Sequence, residues 1–481
     1  MNLTELTINQ AHQGLAAKEF SARELTAAYL ERIKKLDGKI KAFITVDEKN
    51  ALSLAETIDK KADFSSPLAG IPLAIKDLFC TQGLKSTGAS KILENYIPPF
   101  DATAVARLKE QPAIILGKTN CDEFAQGASG ENSSFFVTRN PWDIERVPGG
   151  SSSGSAAAVA AELAAYALGT DTGGSIRQPA SFCGVTGLKV TYGRVSRYGV
   201  MAMTSSLDTI GPLTKNVEDA ALVLEVIAGL DKHDSTTPPK NVDKYSEEIN
   251  QDIKGLKIGL PKEYFIAGLD PEIKKIILAA ADKFKELGAE IIEVSLPHTD
   301  SAIAVYYIIC PSEVSTNMSR YDGVRYGFSD RRPESLKDRY LDTRRQGFGP
   351  EVKRRIMIGT YSLSAGYYDA YYNKAAQVRT LVKQDFDQAF EKVDIILTPT
   401  APTPAFKVGE NTNDPLKMYL ADVFTVPASL AGICGLSIPA GFVDGLPVGL
   451  QLLGNRFDEK TILRAGHQYQ QATDWHTRRP S

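Results

Sequence analysis

The order of hydrophobic and polar positions along the chain predicts alternating helices and strands. In "SARELTAAYLERIKKLD", Ser21 precedes Glu24 by three positions, a capping-box pattern, and apolar residues follow at helical spacing. The short apolar runs "IPLAIKDLF" and "PAIILGKTN" are bounded by Gly and Pro, which is typical of buried strands. Because strand-like and helix-like segments keep alternating further on, the pattern predicts an α/β fold with a largely parallel or mixed sheet.

Between about residues 300 and 390 the pattern changes to helical stretches rich in Tyr and Arg. We interpret this part as a helical insertion or lid packed on the core. The sequence contains no internal repeat, coiled-coil heptad or low-complexity linker. We therefore expect one domain, residues 1–481. Its expected parts are an N-terminal helical segment (1–60), a core that carries the chemistry (61–215), the helical insertion (300–390) and a C-terminal part of the core (391–481).

Composition narrows the class of protein. Hydrophobic residues make up 43% of the chain and charged ones 23%, which is typical of a globular protein. The net charge is -3, from 55 basic and 58 acidic residues, which argues against a chain that binds nucleic acid over its whole surface. We therefore expect any RNA to be bound mainly by another subunit.

The start of the chain and its cysteines indicate the compartment. "MNLTELTINQAHQGL" lacks the basic start and apolar stretch of a signal peptide, and no apolar run is long enough to span a membrane. The five cysteines are scattered without a C-x-x-C pair, which argues against a zinc site and against a disulfide framework. We expect a cytoplasmic protein with reduced, buried thiols and no contact with a membrane.

Residues 147–180, "VPGGSSSGSAAAVAAELAAYALGTDTGGSIRQPA", hold the strongest candidate for chemistry. Two Gly-Gly-Ser turns flank an alanine-rich segment, and glycines permit backbone angles that let successive N–H groups converge on one point. Such a cluster suits an anion, either a phosphate or an oxyanion. The spacing matches neither G-x-x-x-x-G-K-[ST] nor G-x-G-x-x-G, which disfavours phosphate. Ordinary tight turns in a packed core are the structural alternative.

An oxyanion hole needs a nucleophile and a base to activate it. Ser151 and Ser175 are the candidate hydroxyls. The five histidines lie outside the motif, although distance along the chain does not exclude a histidine base, because triads assemble across the fold. Lys76, at the end of the apolar run "GIPLAIK", is another candidate base, but a lysine after a buried strand also often extends to solvent.

The segments around Lys76, Ser151 and Ser175 together resemble the amidase signature family, whose pattern is G-G-S-S-x-G-S, a helix of small residues, then D-T-G-G-S-I-R-x-P. The resemblance implies the amidase signature fold, a mixed central sheet covered by helices on both faces. It also implies a Ser-cisSer-Lys triad with Lys76 as base, Ser151 as the bridging serine and Ser175 as nucleophile. The implied oxyanion hole is formed by the backbone N–H groups of Thr172, Gly173, Gly174 and Ser175, and we interpret Asp171 and Arg177 as braces of this loop.

Further segments, among them "EVKRRIMIGTY", "YLADVFTVPASLAG" and "GLPVGLQLLG", resemble one branch of the family, the glutamine-hydrolysing A subunits of tRNA-dependent amidotransferases. The resemblance implies that Arg355 and Asp422 bind the α-carboxylate and α-amino groups of glutamine, since a zwitterion needs one cation and one anion. It also implies that Tyr306 and Ser129 line the pocket. The sequence departs from the branch pattern at Gln126, Ala128, Gly130, Ser153 and Pro311, so the lining of the pocket is expected to differ there.

The implied function is glutamine hydrolysis coupled to a partner. The resemblance implies that ammonia passes to a B subunit, which uses ATP and magnesium to activate glutamate on tRNA(Gln), or also aspartate on tRNA(Asn), while a small C subunit joins the heterotrimer. No cofactor is expected in this chain. Two alternatives are a stand-alone amidase acting on small carboxylic amides with the same triad, and a catalytically silent scaffold subunit. The pair Arg355 and Asp422 favours glutamine, and the three intact triad residues argue against the scaffold.

Overall fold

The computed structural model describes residues 2–265 and 268–480, and within them one mixed sheet of eleven strands runs through the molecule. The predicted α/β fold with a mixed sheet is confirmed. The strands are β1 (Phe43–Val46), β2 (Pro72–Lys76), β3 (Ile114–Thr119), β4 (Tyr166–Asp171), β5 (Thr186–Lys189), β6 (Thr209–Thr214), β7 (Lys257–Pro261), β8 (Glu290–Val294), β9 (Ile395–Pro399), β10 (Cys434–Val443) and β11 (Leu446–Gly454). Their order across the sheet is β1-β3-β2-β4-β6-β5-β10-β11-β9-β7-β8.

Helices connect these strands and pack against them. They are α1 (Ile8–Ala16), α2 (Ala22–Ile40), α3 (Glu48–Lys61), α4 (Thr103–Glu110), α5 (Ser153–Ala160), α6 (Arg177–Cys183), α7 (Val217–Ile227), α8 (Tyr245–Glu248), α9 (Pro271–Glu286), α10 (Ala302–Met318), α11 (Leu336–Gly347), α12 (Pro350–Ser362), α13 (Lys374–Phe390), α14 (Pro415–Leu420), α15 (Val426–Ala431) and α16 (Glu459–Gln471).

The local predictions agree with these elements. The capping box forms at the start of α2, where Ser21 accepts the Glu24 N–H and the Glu24 carboxylate accepts the Ser21 N–H. The two apolar runs form β2 and β3. The segment 1–60 is not wholly helical, because β1 lies within it and pairs antiparallel with β3. Residues 302–390 form α10 to α13 and a π-helical turn with no strand, and the division of the domain stays a prediction.

Three neighbouring parallel strands place the candidate chemistry at one edge of the sheet. β2 pairs in parallel with β3 on one side and with β4 on the other. The carboxyl ends of adjacent parallel strands meet at the same edge, where open α/β sheets bind their ligands. Lys76 ends β2, and Asp171 ends β4 directly before the second Gly-Gly-Ser turn. Residues far apart along the chain therefore become neighbours.

The small residues of α5 allow the signature segment to pack tightly beneath this edge. Every residue of the helix is buried. The Ser155 hydroxyl donates to the Leu168 carbonyl in β4 at 3.0 Å, and Gly154 lies so close to Asn120 that a Cβ there would meet its backbone nitrogen at 2.6 Å. Larger side chains would push the helix away from the sheet, so the alanine-rich composition is required by close packing.

Among the described residues, no helix is long and apolar enough to cross a membrane. The five cysteines are buried and free, as the sequence predicts.

Candidate active site

The Lys76 side chain lies fully buried at the end of β2 and points into a cluster of hydroxyl groups. Its Nζ atom donates to Ser151 Oγ at 2.8 Å, to Ser152 Oγ at 3.0 Å and to Thr170 Oγ1 at 2.7 Å. No ion pair with a carboxylate forms at Lys76 anywhere in the described chain. The alternative in which this lysine extends to solvent is therefore wrong.

Burial lowers the pKa of the Lys76 ammonium from 10.5 to about 8. Removing an ammonium group from water disfavours its charged form. The acidic groups nearby, Cys121, Asp122 and Asp171, oppose this effect only in part because none pairs directly with Nζ. Each of the three hydroxyls can accept or donate a hydrogen bond, so the cluster can bind both the charged and the neutral form of the Lys76 amine. The neutral form can accept a proton.

Ser151 lies between Lys76 and the loop that carries Ser175. The peptide bond between Gly150 and Ser151 is cis, which agrees with the cis-serine that the resemblance implies. The next residue, Ser152, donates its backbone N–H to the Ser175 carbonyl at 3.1 Å. The two serine segments are thus joined directly through their backbones, and the predicted triad residues are brought together.

Ser175 is the most open of the three. Its side chain makes no hydrogen bond within the described residues, and the residue is 8% exposed, whereas Lys76 and Ser151 are at 0%. A hydroxyl that is free of hydrogen bonds and reachable from outside can approach a substrate carbonyl. Accessibility is one requirement of a nucleophile; the second, a hydrogen bond to its activating group, does not form between the Ser175 and Ser151 side chains among the described residues.

The turn before Ser175 leaves its backbone donors free. In the described chain, none of the N–H groups of Thr172, Gly173, Gly174 and Ser175 donates a hydrogen bond. Gly174 has φ +148 and lies against Asp422, whose Oδ1 atom would be 3.3 Å from a Cβ at that position. Gly173 lies under the Tyr306 ring, which a Cβ would meet at 2.8 Å. Both glycines are needed for this close approach, which keeps the N–H groups available to an anion.

A buried ion pair braces the turn from behind. Arg177 donates to Asp171 through Nη2 at 2.9 Å and through Nε at 3.0 Å, and Asp171 Oδ2 also accepts the Ile176 N–H at 3.2 Å. Burial alone would raise the pKa of Asp171, but the Arg177 charge holds it below its ordinary value. Arg177 also donates to the Thr425 carbonyl at 2.9 Å, which connects the turn to the C-terminal part of the core.

Arg355 lies on α12, and its guanidinium is oriented by an ion pair with Glu351. Its Nε atom donates to Glu351 Oε1, one helical turn earlier, at 2.8 Å, and the guanidinium lies over the rings of Tyr307 and Tyr419 at 5.5 and 5.8 Å. Arg355 and Ser129 line a cavity of about 80 Å³, the Arg355 cavity, whose three walls are the loop 127–132, the first turns of α12 and the segment 411–419 that includes most of α14. The remaining guanidinium donors suit a carboxylate.

Asp422 is the acidic group that matches Arg355. It is 7% exposed and lies beside Gly174, and its Oδ1 atom has no hydrogen-bond partner among the described residues. Burial raises the pKa of this carboxyl to about 8, the charge of Asp171 adds to the rise, and Arg355 and Arg177 oppose it. A buried carboxyl without a partner is costly, and a ligand ammonium placed there would satisfy it.

Two of the departures from the branch pattern, Gly130 and Ser153, lie against each other. Gly130 has φ +83, and a Cβ at this position would lie 2.5 Å from the Ser153 Cβ. Ala128 contributes its carbonyl to Gln178 Nε2 at 2.8 Å. The Gln126 amide is buried with no partner among the described residues.

Several residues around the site were not predicted. Ser152 and Thr170 complete the hydroxyl cluster of Lys76, and Gln178 connects the two loops, donating to Ala128 and accepting the Gly150 N–H at 2.9 Å. Glu351 orients Arg355. Ser152 and Gln178 lie inside the signature and Glu351 lies four residues before Arg355 on one helix, so their positions were usable signals, whereas Thr170 depends on strand pairing.

The comparisons identify the family. The model of the Amidase family matches residues 24–463. The chain belongs to the amidase family. It is 58% identical to the A subunit of the glutamyl-tRNA(Gln) amidotransferase of Geobacter metallireducens, over 100% of this chain and 99% of the relative.

Two solved amidase-family structures show how far the fold extends. The A subunit of the glutamyl-tRNA(Gln) amidotransferase of Thermotoga maritima has a TM-score of 0.81 at 44% identity, and the match covers 96% of this chain and 94% of that one. The peptide amidase of Stenotrophomonas maltophilia has a TM-score of 0.83 at 32% identity, and the match covers 98% of each chain. The amidase fold therefore spans this chain nearly end to end. Within its described residues, no group of three or more His, Cys, Asp or Glu side chains could hold a metal ion.

Proposed function

We propose that this chain is the glutaminase subunit of a tRNA-dependent amidotransferase. It hydrolyses glutamine to glutamate and ammonia and supplies the ammonia to a partner that amidates Glu-tRNA(Gln), with Asp-tRNA(Asn) as a further acceptor. The observation that carries the proposal is the buried Lys76, hydrogen-bonded to Ser151 and Ser152, with the Ser152 backbone hydrogen-bonded to Ser175, in a chain that is 58% identical to the A subunit of an amidotransferase.

The reaction starts with neutral Lys76. Ser151 passes the Ser175 proton to the amine, and Ser175 Oγ attacks the side-chain amide carbon of glutamine. The free N–H groups of Thr172 to Ser175 stabilise the tetrahedral oxyanion, each such donor typically lowering the barrier by about 3 kcal/mol. The proton returns through Ser151 to the leaving ammonia, and water then hydrolyses the glutamyl ester on Ser175.

Substrate selection rests on the two opposite charges. Arg355 binds the α-carboxylate of glutamine and Asp422 its α-ammonium group, while Tyr306 and Ser129 border the substrate. The unpartnered Oδ1 of Asp422 supports this assignment, because the substrate supplies the missing donor. The Asp422 carboxyl then ionises in the complex, since a nearby cation favours its charged form.

The partners follow from the names of the relatives. A protein named as the A subunit of an amidotransferase belongs to a larger assembly, and we propose a heterotrimer with B and C subunits. ATP and magnesium are used at the B subunit, which also binds most of the misacylated tRNA. The near-zero net charge of this chain supports that division.

A stand-alone amidase is the second candidate, because the peptide amidase fold matches as well as that of the Thermotoga maritima amidotransferase structure. Sequence identity and the charged pair Arg355 and Asp422 favour glutamine.

The test is ammonia release from glutamine by the full-length chain, alone and with candidate B and C subunits, ATP and Glu-charged tRNA. We expect activity that rises sharply in the full mixture and is lost in Ser175→Ala. The exposed serine variant Ser364→Ala is the matched control and should keep wild-type activity. Partner-independent hydrolysis that prefers simple amides to glutamine would support the second candidate instead.

A further inference from the structure

Glu123 is a buried carboxylate outside the triad that contacts two of the walls of the Arg355 cavity, α12 and the loop 127–132. It is 1% exposed and follows Asp122 in the loop after β3. Its Oε2 atom accepts the Gly349 N–H at 2.8 Å, and its Oε1 atom accepts the Ser90 hydroxyl at 2.5 Å. A fully buried acidic residue is uncommon unless it is paired or has a specific task.

The Glu123 carboxylate caps the N-terminus of α12, the helix that forms one wall of the cavity. Gly349 is the N-cap residue of α12 and has no side chain to cap the helix, so Glu123 accepts one of the N–H groups that every helix start leaves unpaired. A carboxylate at this end also interacts favourably with the helix dipole. The Arg355 side chain lies less than two turns further along the same rigid helix, oriented by Glu351.

The backbone of the same residue holds the second wall. The Glu123 N–H donates to the Asn132 carbonyl at 3.3 Å, and the neighbouring Asp122 carboxylate accepts the N–H groups of Gly130 and Asn132, each at 3.0 Å. The loop 127–132, which contains Ser129, is therefore fixed to the same short segment as α12. These two walls of the cavity are therefore fixed to one short segment, residues 122–123.

We propose that Glu123 is a positioning residue that fixes two walls of the Arg355 cavity, α12 and the loop 127–132, relative to each other and so places the Arg355 guanidinium for the substrate carboxylate. The proposal rests on the proposed glutaminase function. It assigns a role in substrate binding to a residue that touches neither the substrate nor the triad.

The neutral amide is a suitable rescue variant. Burial raises the pKa of Glu123 to about 7, with the hydrogen bonds from Ser90 and Gly349 opposing the rise, so the protonated and charged forms are close in free energy at neutral pH. In Glu123→Gln the amide oxygen can still accept the Gly349 N–H, and the amide nitrogen can donate to Ser90. Glu123→Ala removes both contacts.

The kinetic experiment compares glutamine hydrolysis by the assembled complex containing wild-type chain, Glu123→Ala or Glu123→Gln. We expect Glu123→Ala to raise KM about tenfold with kcat within about twofold of wild type, because binding of the ground state and of the transition state is weakened equally. Glu123→Gln should restore KM. Gly349→Ala tests the contact from the other side, since its Cβ would lie 2.6 Å from Glu123 Oε2, and it should also raise KM.

A matched control separates positioning from general helix capping. Asp59 on α3 likewise accepts the N–H groups of Ala22 and Arg23 at the start of α2, at 2.7 and 3.0 Å, far from the Arg355 cavity. Asp59→Ala should leave KM unchanged. An unaltered KM in folded Glu123→Ala, or a Glu123→Gln protein as impaired as Glu123→Ala, would overturn the proposal.

Hydrogen exchange of the backbone amides distinguishes failure of the Glu123 proposal from failure of the proposed glutaminase function. We expect faster exchange at residues 349–353 in Glu123→Ala but not in Glu123→Gln or Asp59→Ala. If the wild-type complex releases no ammonia from glutamine, the proposed function is wrong. Equal exchange in wild type and Glu123→Ala would show that Glu123 does not anchor α12, whatever the activity.

Discussion

The protonation state of Lys76 sets the pH dependence of the proposed reaction. Its pKa of about 8 leaves about 10% of the lysine neutral at pH 7, compared with about 0.03% for an unperturbed side chain. The shift from the ordinary value corresponds to about 3 kcal/mol of desolvation that the fold imposes on the ammonium form. Only the neutral amine can accept the Ser175 proton through Ser151, so activity should fall as the pH drops through 8.

The assay is steady-state ammonia release between pH 6 and 9, analysed as kcat. We expect kcat to rise about tenfold from pH 7 to 9 with a midpoint near 8. The ratio kcat/KM reports the free enzyme, in which Asp422 also titrates at about 8, whereas kcat reports the complex, in which the substrate ammonium keeps Asp422 ionised. The kcat profile therefore isolates the lysine.

Substitution at Lys76 should remove this pH dependence together with most of the activity. In Lys76→Arg the guanidinium stays charged at all pH values tested, so that variant should be as inactive as Lys76→Ala. The matched control is Lys189, which is also buried with its pKa lowered to about 8 but donates to the Val190 and Ile433 carbonyls instead of the triad. Folded Lys189→Met should keep the wild-type profile. A flat wild-type kcat from pH 6 to 9, or an intact basic limb in Lys76→Ala, would refute the reasoning.

Three further substitutions test other parts of the site. Ser151→Ala should lower kcat about a thousandfold with little change in KM, measured by glutamine kinetics, because it interrupts the proton path; a mainly KM effect would contradict this. Asp422→Asn should raise KM for glutamine at least about tenfold. It should also raise the melting temperature relative to wild type, and this gap should widen from pH 5 to 8, since the unfolded chain releases the Asp422 proton near pH 3.8 while the folded chain holds it to about 8; a gap independent of pH would count against the unpartnered carboxyl. Arg177→Met should lower the free energy of unfolding by about 3–5 kcal/mol in urea titrations, because it leaves Asp171 buried and unpaired. Adding Asp171→Asn should recover part of that loss, and no recovery would argue against the brace.

Much of the local structure could be predicted because it depends on neighbouring residues. The capping box of α2 and the strands β2 and β3 follow from patterns a few residues long. The strand β1 was not predicted inside the N-terminal segment, because its four residues gain stability from pairing with β3 and not from a strong local pattern. Propensity yields to tertiary context in such short strands.

Some residues of the candidate site could likewise be predicted from the sequence and others could not. Ser151 and Ser175 were identifiable because glycine-rich turns around serines have a recognisable local composition. Lys76 had two open interpretations, since nothing near it in the chain determines whether its ammonium reaches water. Glu351 was missed although it lies four residues before Arg355 on one helix, a spacing at which opposite charges pair. Glu123 gave no signal, because only the tertiary packing brings the start of α12 near it.

The sequence by itself determined the types of chemical group, the flexible turns that carry them and the alternation of helices and strands, because these depend on short-range sterics and hydrophobic periodicity. The tertiary structure alone decided that Lys76 is buried among three hydroxyls with its pKa near 8, and that Asp422 lies against the Ser175 turn. Desolvation and ion pairing depend on every element packed around a group, and here those elements are contributed by strands and helices that lie far apart in the chain.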